Sequence, residues 1–184
     1  MNFKQLALSV SCLFMLSCEK ENPIIPNEEE LITTLSYTLS PSNGGTPVVL
    51  LFKDLDGDGG IPPTVTGGLL ESNTIYNGVL DLLNESDSPA ESITDEVNEE
   101  GDEHQFFFAK SSGLDAAIQY VDLDVNGDPL GLKTDFVTGG TSSGTITITL
   151  RHEPNKSAAG VANGDIANAG GETDIEVTFN VEIQ

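Results

Sequence analysis

The chain has 184 residues, with 30 acidic against 7 basic side chains, a formal charge of −23, two cysteines and no tryptophan. So acidic a surface repels the phosphates of nucleic acid and anionic lipid headgroups, and cations are its natural small partners. The same charge, read more plainly, keeps an exported protein soluble.

In chain order the first segment is a leader. Met1-Asn2-Phe3-Lys4 is followed by an apolar run from Leu6 to Leu16 and then by Leu16-Ser17-Cys18. This is the order of a secretory signal, and the run falls short of the roughly 20 apolar residues a membrane span needs. Leu-Ser-Cys resembles the lipobox of bacterial lipoproteins, which implies that Cys18 is acylated and becomes the first mature residue. The alternative is an ordinary cleaved signal with a chance cysteine. The division expected is 1–17 signal peptide, 18–30 lipid-anchored acidic tether and 31–184 a single domain. Cys12, Met1 and Met15 leave with the leader and Cys18 takes the lipid. The mature chain then has no disulfide, and no soft ligand for Cu(I) or a Met-ligated haem. The tether holds Pro23, Pro26 and Glu28-Glu29-Glu30 without apolar periodicity. Its acids resemble surface-export signals of Bacteroidota lipoproteins, which implies the outer membrane and leaves the leaflet open.

Period-2 patterns dominate the rest. Strands are expected at Leu31 to Leu39, Val48 to Phe52, Ile75 to Leu83, His104 to Ala109, Ala116 to Asp124, Leu132 to Val137, Thr145 to His152 and Asp174 to Ile183. Val48 to Phe52 is apolar on both faces and reads as a central strand. Asn43-Gly44-Gly45, Gly67-Gly68, Asn126-Gly127 and Gly139-Gly140 separate them as turns. The fold class predicted is all-β: an antiparallel β-sandwich of immunoglobulin-like architecture, with about eight strands and one inserted acidic helix. The helix is expected to begin with Ser88 as cap, Pro89 in the first turn and Glu91 three residues on. Ile93 and Val97, one turn apart, would dock it. Glu91, Asp95, Glu99 and Asp102 would share the opposite side, where like charges cost about 0.2–0.5 kcal/mol per pair unless water or a cation relieves them.

Four constellations bear on chemistry. Asp54-Leu55-Asp56-Gly57-Asp58-Gly59 matches the opening of an EF-hand loop, in which carboxylates at positions 1, 3 and 5 converge because a glycine at position 6 permits a sharp turn. Asp122-Leu123-Asp124-Val125-Asn126-Gly127 is a second such loop, with Asn126 at the third ligand position. Position 12, glutamate in an EF-hand, is Val65 in the first and Lys133 in the second, and the flanks are strands. Each is therefore either a Ca²⁺ loop completed by another carboxylate or a hairpin turn. The third constellation is the two histidines of the chain, in Glu103-His104-Gln105 and Arg151-His152-Glu153. Counting by two from Ile146, His152 continues an inward row. If the imidazoles meet, Glu103, Glu153 and the helix carboxylates complete with His104 and His152 a Zn²⁺-type site; if not, His152 is a rim residue. The fourth is the Gly-, Ala- and Asn-rich stretch from Glu153 to Glu172, long for a connection inside one domain. From Asp54 to Ala109 there are fourteen acids and no lysine or arginine. Such a region either repels itself or holds cations.

Enzyme signatures are missing: no G-x-S-x-G elbow, no H-E-x-x-H, no P-loop and no cysteine nucleophile in the mature chain. The chain is accordingly read as a non-enzyme. Glu28 to Thr34, Phe52 to Gly60, Glu103 to Phe108 and Leu150 to Lys156 together resemble a family of flavobacterial lipoproteins, sometimes labelled as having a type 1 periplasmic-binding fold. The resemblance spans nearly the whole mature chain and implies an envelope location. The label implies two doubly wound lobes, whereas length and period-2 pattern here imply a sandwich. The function expected is a lipid-anchored envelope protein that binds divalent cations, Ca²⁺ first and Zn²⁺ second, and assists an envelope transport system such as a TonB-dependent transporter. A structural or adhesive surface module with no small ligand is the alternative.

Overall fold

The computed structural model describes residues 30–57, 59–86 and 88–184. Cys18, most of the tether and Asp58 lie outside these residues. The elements are β1 (Thr34–Pro41), β2 (Val48–Lys53), β3 (Thr64–Thr66), β4 (Gly68–Leu70), β5 (Ile75–Asn84), β6 (Glu91–Ser92), α1 (Ile93–Glu99), β7 (His104–Lys110), β8 (Ala116–Tyr120), β9 (Lys133–Thr138), β10 (Ser142–His152) and β11 (Glu172–Ile183). They form an all-β sandwich. One sheet runs β3-β2-β1-β5-β9-β8, with β6 appended to β5; the other runs β4-β11-β10-β7. Pairing is antiparallel except for β4 on β11.

Strict alternation builds the core. On β11, Ile175, Val177, Phe179, Val181 and Ile183 are buried while Glu176, Thr178, Asn180 and Glu182 face water. On β10 the inward row is Ile146, Ile148 and Leu150. The other sheet answers with Leu35, Tyr37 and Leu39 from β1, Leu80 and Leu82 from β5, and Phe136 from β9, all in one contiguous cluster. Each such side chain contributes about 1.5–3 kcal/mol by leaving water.

Four details depart from the sequence reading. First, β2 is not central: only the three-residue β3 lies beyond it, and Val49 is 43% exposed. Its second apolar row lies on the outer face of the sheet, where Ile75 and Val79 of β5 are exposed as well. Second, β3, β4 and β6 are two or three residues long, too short to carry a period. Third, Gly67-Gly68 is a step from one sheet to the other. A Cβ at Gly67 would strike the Asn180 carbonyl, and one at Gly68 the side chains of Leu50 and Val48. Fourth, α1 starts at Ile93 and its cap is Ser92, whose hydroxyl accepts from Asp95 N at 3.3 Å. Ser88 and Pro89 precede the helix because Glu91 and Ser92 are drawn into the sheet opposite Asn84 and Leu83. Ile93 and Val97 dock as expected. Thr94 locks the helix to β5, accepting from Leu82 N at 2.7 Å and donating to Asp81 Oδ1 at 2.9 Å.

Residues 153–171 cover the outer face of β7 and β10 with two short 3₁₀ turns, Val161–Asn163 and Ile166–Asn168. Val161 and Ala169 close over Phe107, and Gln105 donates to the Val161 carbonyl at 3.0 Å. Among the described residues no helix is long and apolar enough to cross a membrane.

Inside the core, the hydroxyls of Tyr37 and Thr134 share one hydrogen bond of 2.5 Å with no water access. Tyr37→Phe strands the threonine hydroxyl and is expected to cost about 1–3 kcal/mol in urea unfolding. Thr134→Val made on top of it is expected to add less than it costs alone. Additive losses would show that the pair is not coupled.

Candidate metal centre

Antiparallel register brings the two histidines together. His104 opens β7, His152 closes β10, and they are direct cross-strand partners. Their rings stack with centroids 4.5 Å apart and 26° between planes. Both are buried, His104 completely. His152 is thus part of the core rather than of its rim.

The third member comes from β11 and was not foreseen. Strict alternation from Ile175 puts Asp174 on the wet face. The register, however, slips between Leu150/Ile175 and Arg151/Thr173, leaving Asp174 as the extra residue of a β-bulge. A bulge re-aims a side chain. Asp174 turns in under the imidazoles, with its side chain shielded from solvent. Its Oδ2 lies 3.9 Å from His104 Nε2 and its Oδ1 3.8 Å from His152 Nδ1. Arg151 holds the slipped register by donating to Thr173 Oγ1 at 2.6 Å. Gly170 and Gly171 lead into β11 with positive φ, and a Cβ on Gly171 would strike the His152 carbonyl.

The protonation of His104 follows from its partners. Its Nδ1 lies 3.1 Å from the Glu100 carbonyl, which only accepts, so Nδ1 carries the proton. Burial, the largest influence, holds the ring below the ordinary imidazole pKa of 6.5 despite the Glu100 bond. The ring is therefore neutral, and its buried Nε2, which makes no hydrogen bond among the described residues, presents a lone pair toward the carboxylate. A backbone carbonyl that fixes the tautomer and leaves the other nitrogen as donor is the usual outer support of a metal-ligating histidine. Tetrahedral ligation at about 2.0–2.1 Å sets ligand atoms roughly 3.4 Å apart, and one candidate atom from each of His104, His152 and Asp174 lies within 4.8 Å of the others.

Acids crowd the same end. Glu30 and Glu100 form with His104 a second group whose candidate ligand atoms lie within 4.8 Å of one another. Burial, followed by Glu96, Asp174 and Glu100, pushes the Glu30 carboxyl up to about 7. Glu103 stands at the rim, half exposed, with Oε2 3.9 Å from His152 Nε2. Glu153 does not join: it is exposed, in a positive-φ conformation that turns the chain away from β10, and only its amide engages the site region, donating to the Glu103 carbonyl at 2.7 Å. Of the four residues expected at this site, the structure therefore gathers His104 and His152, keeps Glu103 at the edge and places Glu153 outside. Asp174 stands with the two histidines instead, and Glu30 lies near His104 and Glu100. Neither carried a signal beyond its charge.

The two acidic loops differ from this site. In the second, Asp122 accepts from Gly131 N at 2.9 Å and Lys133 N at 3.0 Å. Asp124 accepts from Asn126 N at 2.8 Å, Asp128 N at 3.0 Å and the Lys156 ammonium at 2.7 Å. Lys156 donates also to the carbonyls of Gly101 and Pro129. The ammonium occupies the place a cation would take, Asn126 is an exposed turn residue, and the loop is a hairpin stitched to residues 153–171. In the first loop, Asp56 Oδ2 accepts from Ile61 N at 3.2 Å, and Asp54 Oδ1 is buried without a hydrogen bond among the described residues. Asp58, the third carboxylate of that loop, lies outside the described residues.

Comparison of the chain with protein-family models, with curated proteins and with solved structures finds no significant match.

Burial raises the Asp124 carboxyl, but Lys156 and the amides of Asp128 and Asn126 outweigh it and hold the group below 3.8. A depressed carboxylate stabilises the fold above its ordinary pKa, and that contribution is lost as pH falls through the lower folded value. Lys156→Met is expected to cost about 3 kcal/mol at neutral pH by leaving the shielded charge uncompensated. It should also flatten the fall in melting temperature below about pH 4. An unchanged acid limb would remove Lys156 from this role.

Proposed function

We propose that this chain is a lipid-anchored protein of the cell envelope, tethered through Cys18, whose sandwich binds one divalent cation of the zinc class and serves an envelope transport system. His104 Nε2, His152 Nδ1 and the Asp174 carboxylate are the ligands proposed. The observation that carries this reading is the buried lone pair of His104 directed at a shielded carboxylate. Two nitrogens and a carboxylate suit Zn²⁺ and its borderline neighbours better than Ca²⁺, which takes six to eight oxygens. The anchor rests on Leu16-Ser17-Cys18, and the transport role on the lack of enzyme signatures together with the acidic surface.

The test is calorimetric titration of the lipidated protein in detergent with Zn²⁺ and Ca²⁺ after chelator treatment. One Zn²⁺ is expected to bind with micromolar or tighter affinity. At a hundredfold excess over Kd it stabilises the fold by about 2.7 kcal/mol, read as a rise in melting temperature. His104→Ala and Asp174→Asn should each weaken binding at least about tenfold, while Asp56→Ala leaves it unchanged. Absence of heat and of any melting shift with Zn²⁺, Co²⁺ and Mn²⁺ would overturn the cation reading and favour a structural surface module.

A further inference from the structure

The turn from Glu100 to Glu103 reaches both imidazoles from outside the site. On His104 the contact is the Glu100 carbonyl, 3.1 Å from Nδ1, so the proton stands there and Nε2 faces Asp174. His152 is approached in the opposite sense. Its Nδ1 lies 3.8 Å from Asp174 Oδ1, and its Nε2 lies 3.9 Å from Glu103 Oε2. The two nitrogens of an imidazole point away from one another, so Glu103 meets the side of His152 that is turned from Asp174. Glu103 is not a ligand candidate itself. Among the described residues, one group of candidate ligand atoms unites His104, His152 and Asp174, another Glu30, Glu100 and His104, and Glu103 joins neither. Its side chain is half exposed, whereas those of His152 and Asp174 are shielded. Its backbone is pinned there, because its carbonyl accepts at 2.7 Å from the amide of Glu153, the residue after His152.

A neutral imidazole gives one nitrogen to an ion when the other carries the proton, and the hydrogen bond made by that other nitrogen selects which is which. Around His152 two carboxylates compete for the proton, Asp174 at Nδ1 and Glu103 at Nε2, at nearly equal distance. A cation among His104, His152 and Asp174 decides between them. It engages Asp174 and the Nδ1 lone pair, and the proton is left on Nε2, facing Glu103. We infer that Glu103 is the positioning residue of His152: with the cation bound, its carboxylate accepts the Nε2 proton and holds the ring with Nδ1 turned inward. This inference rests on the cation reading above. A hydrogen bond needs about 2.7–3.2 Å, and the half-exposed Glu103 side chain, which bonds nothing else among the described residues, closes that distance by rotating. A carboxylate in this position also makes the opposite nitrogen a stronger donor to the metal. One turn then supports both histidines, by a backbone carbonyl at His104 and by a side chain at His152, and the two rings bind through different nitrogens, Nε2 and Nδ1.

Nuclear magnetic resonance of the lipidated protein in detergent, with nitrogen-15 in its histidines and saturating Zn²⁺, tests this, combined with Zn²⁺ calorimetry. The variants are Glu103→Ala and, as control, Asp102→Ala, which removes the same charge from an exposed neighbour on the same turn. In the parent, bound His152 is expected to carry its proton on Nε2, at low field and protected from exchange with water. In Glu103→Ala that proton should move upfield and exchange faster. Affinity should fall about tenfold, the lower end of the range for outer support, because the carboxylate is half exposed. Asp102→Ala should match the parent in both readings. A proton on Nδ1 of bound His152, a Glu103→Ala protein that matches the parent, or an equal loss in Asp102→Ala would overturn the role of Glu103 and leave the cation reading standing. If Zn²⁺ does not bind the parent protein at all, both readings fall together.

Discussion

The bulge at Asp174 is the constraint on which the end of this sandwich depends. Alternation along β11 would leave Asp174 in water beside Glu176, on the face away from the two imidazoles. One extra residue on β11, Asp174 itself, opposite the step from Leu150 to Arg151 on the partner strand, reverses that direction. Shielding a carboxylate costs several kcal/mol unless charge and hydrogen bonds return it. The fold shields Asp174 between adjacent strands, with Arg151 to Thr173 holding the slip.

The turn between α1 and β7 serves every neighbour of that site. The Glu100 amide closes the helix on Glu96, and its carbonyl orients His104. The Gly101 carbonyl takes the Lys156 ammonium. The Glu103 carbonyl takes the amide of Glu153 as the chain leaves β10. Helix, both histidine strands and the covering segment are thus joined through four consecutive residues. This explains why an insertion as Gly- and Ala-rich as residues 153–171 has a definite course. It is anchored at its start by Glu153 and Lys156 and at its middle by Val161 over Phe107.

What was legible in the sequence is what depends on a period. The long strands announced themselves through alternation, and their residues face as the pattern requires; β10 predicts the inward position of His152 by counting. The pairing of His104 with His152 is a matter of register, which no local pattern encodes. Asp174 was hidden for a sharper reason: it breaks the rule by which it would have been read. Glu153 was favoured because it follows His152 in sequence, but adjacent residues on a strand point to opposite faces, and here the strand has already ended. The helix start shows the same limit. Ser88 and Ser92 are both followed three residues later by an acid, and only pairing of Glu91 and Ser92 with β5 decides between them.

The acid-rich composition resolves into two unlike solutions of one electrostatic problem. At the hairpin of residues 122–128, the protein supplies its own cation. Lys156 crosses from a distant segment, and its ammonium, with backbone amides, saturates Asp124. A lysine there fixes structure permanently and makes the loop indifferent to ions in solution. Of the other described bases, Lys53 pairs with Glu85, Arg151 donates to Thr173 and Lys110 to the Leu114 carbonyl, while Lys133 is exposed on β9. On the sheet of β7, β10 and β11, Asp174 meets two imidazoles, one of them with its proton directed away to the Glu100 carbonyl. The run of fourteen acids without a base ends in that site, at Glu103 and His104.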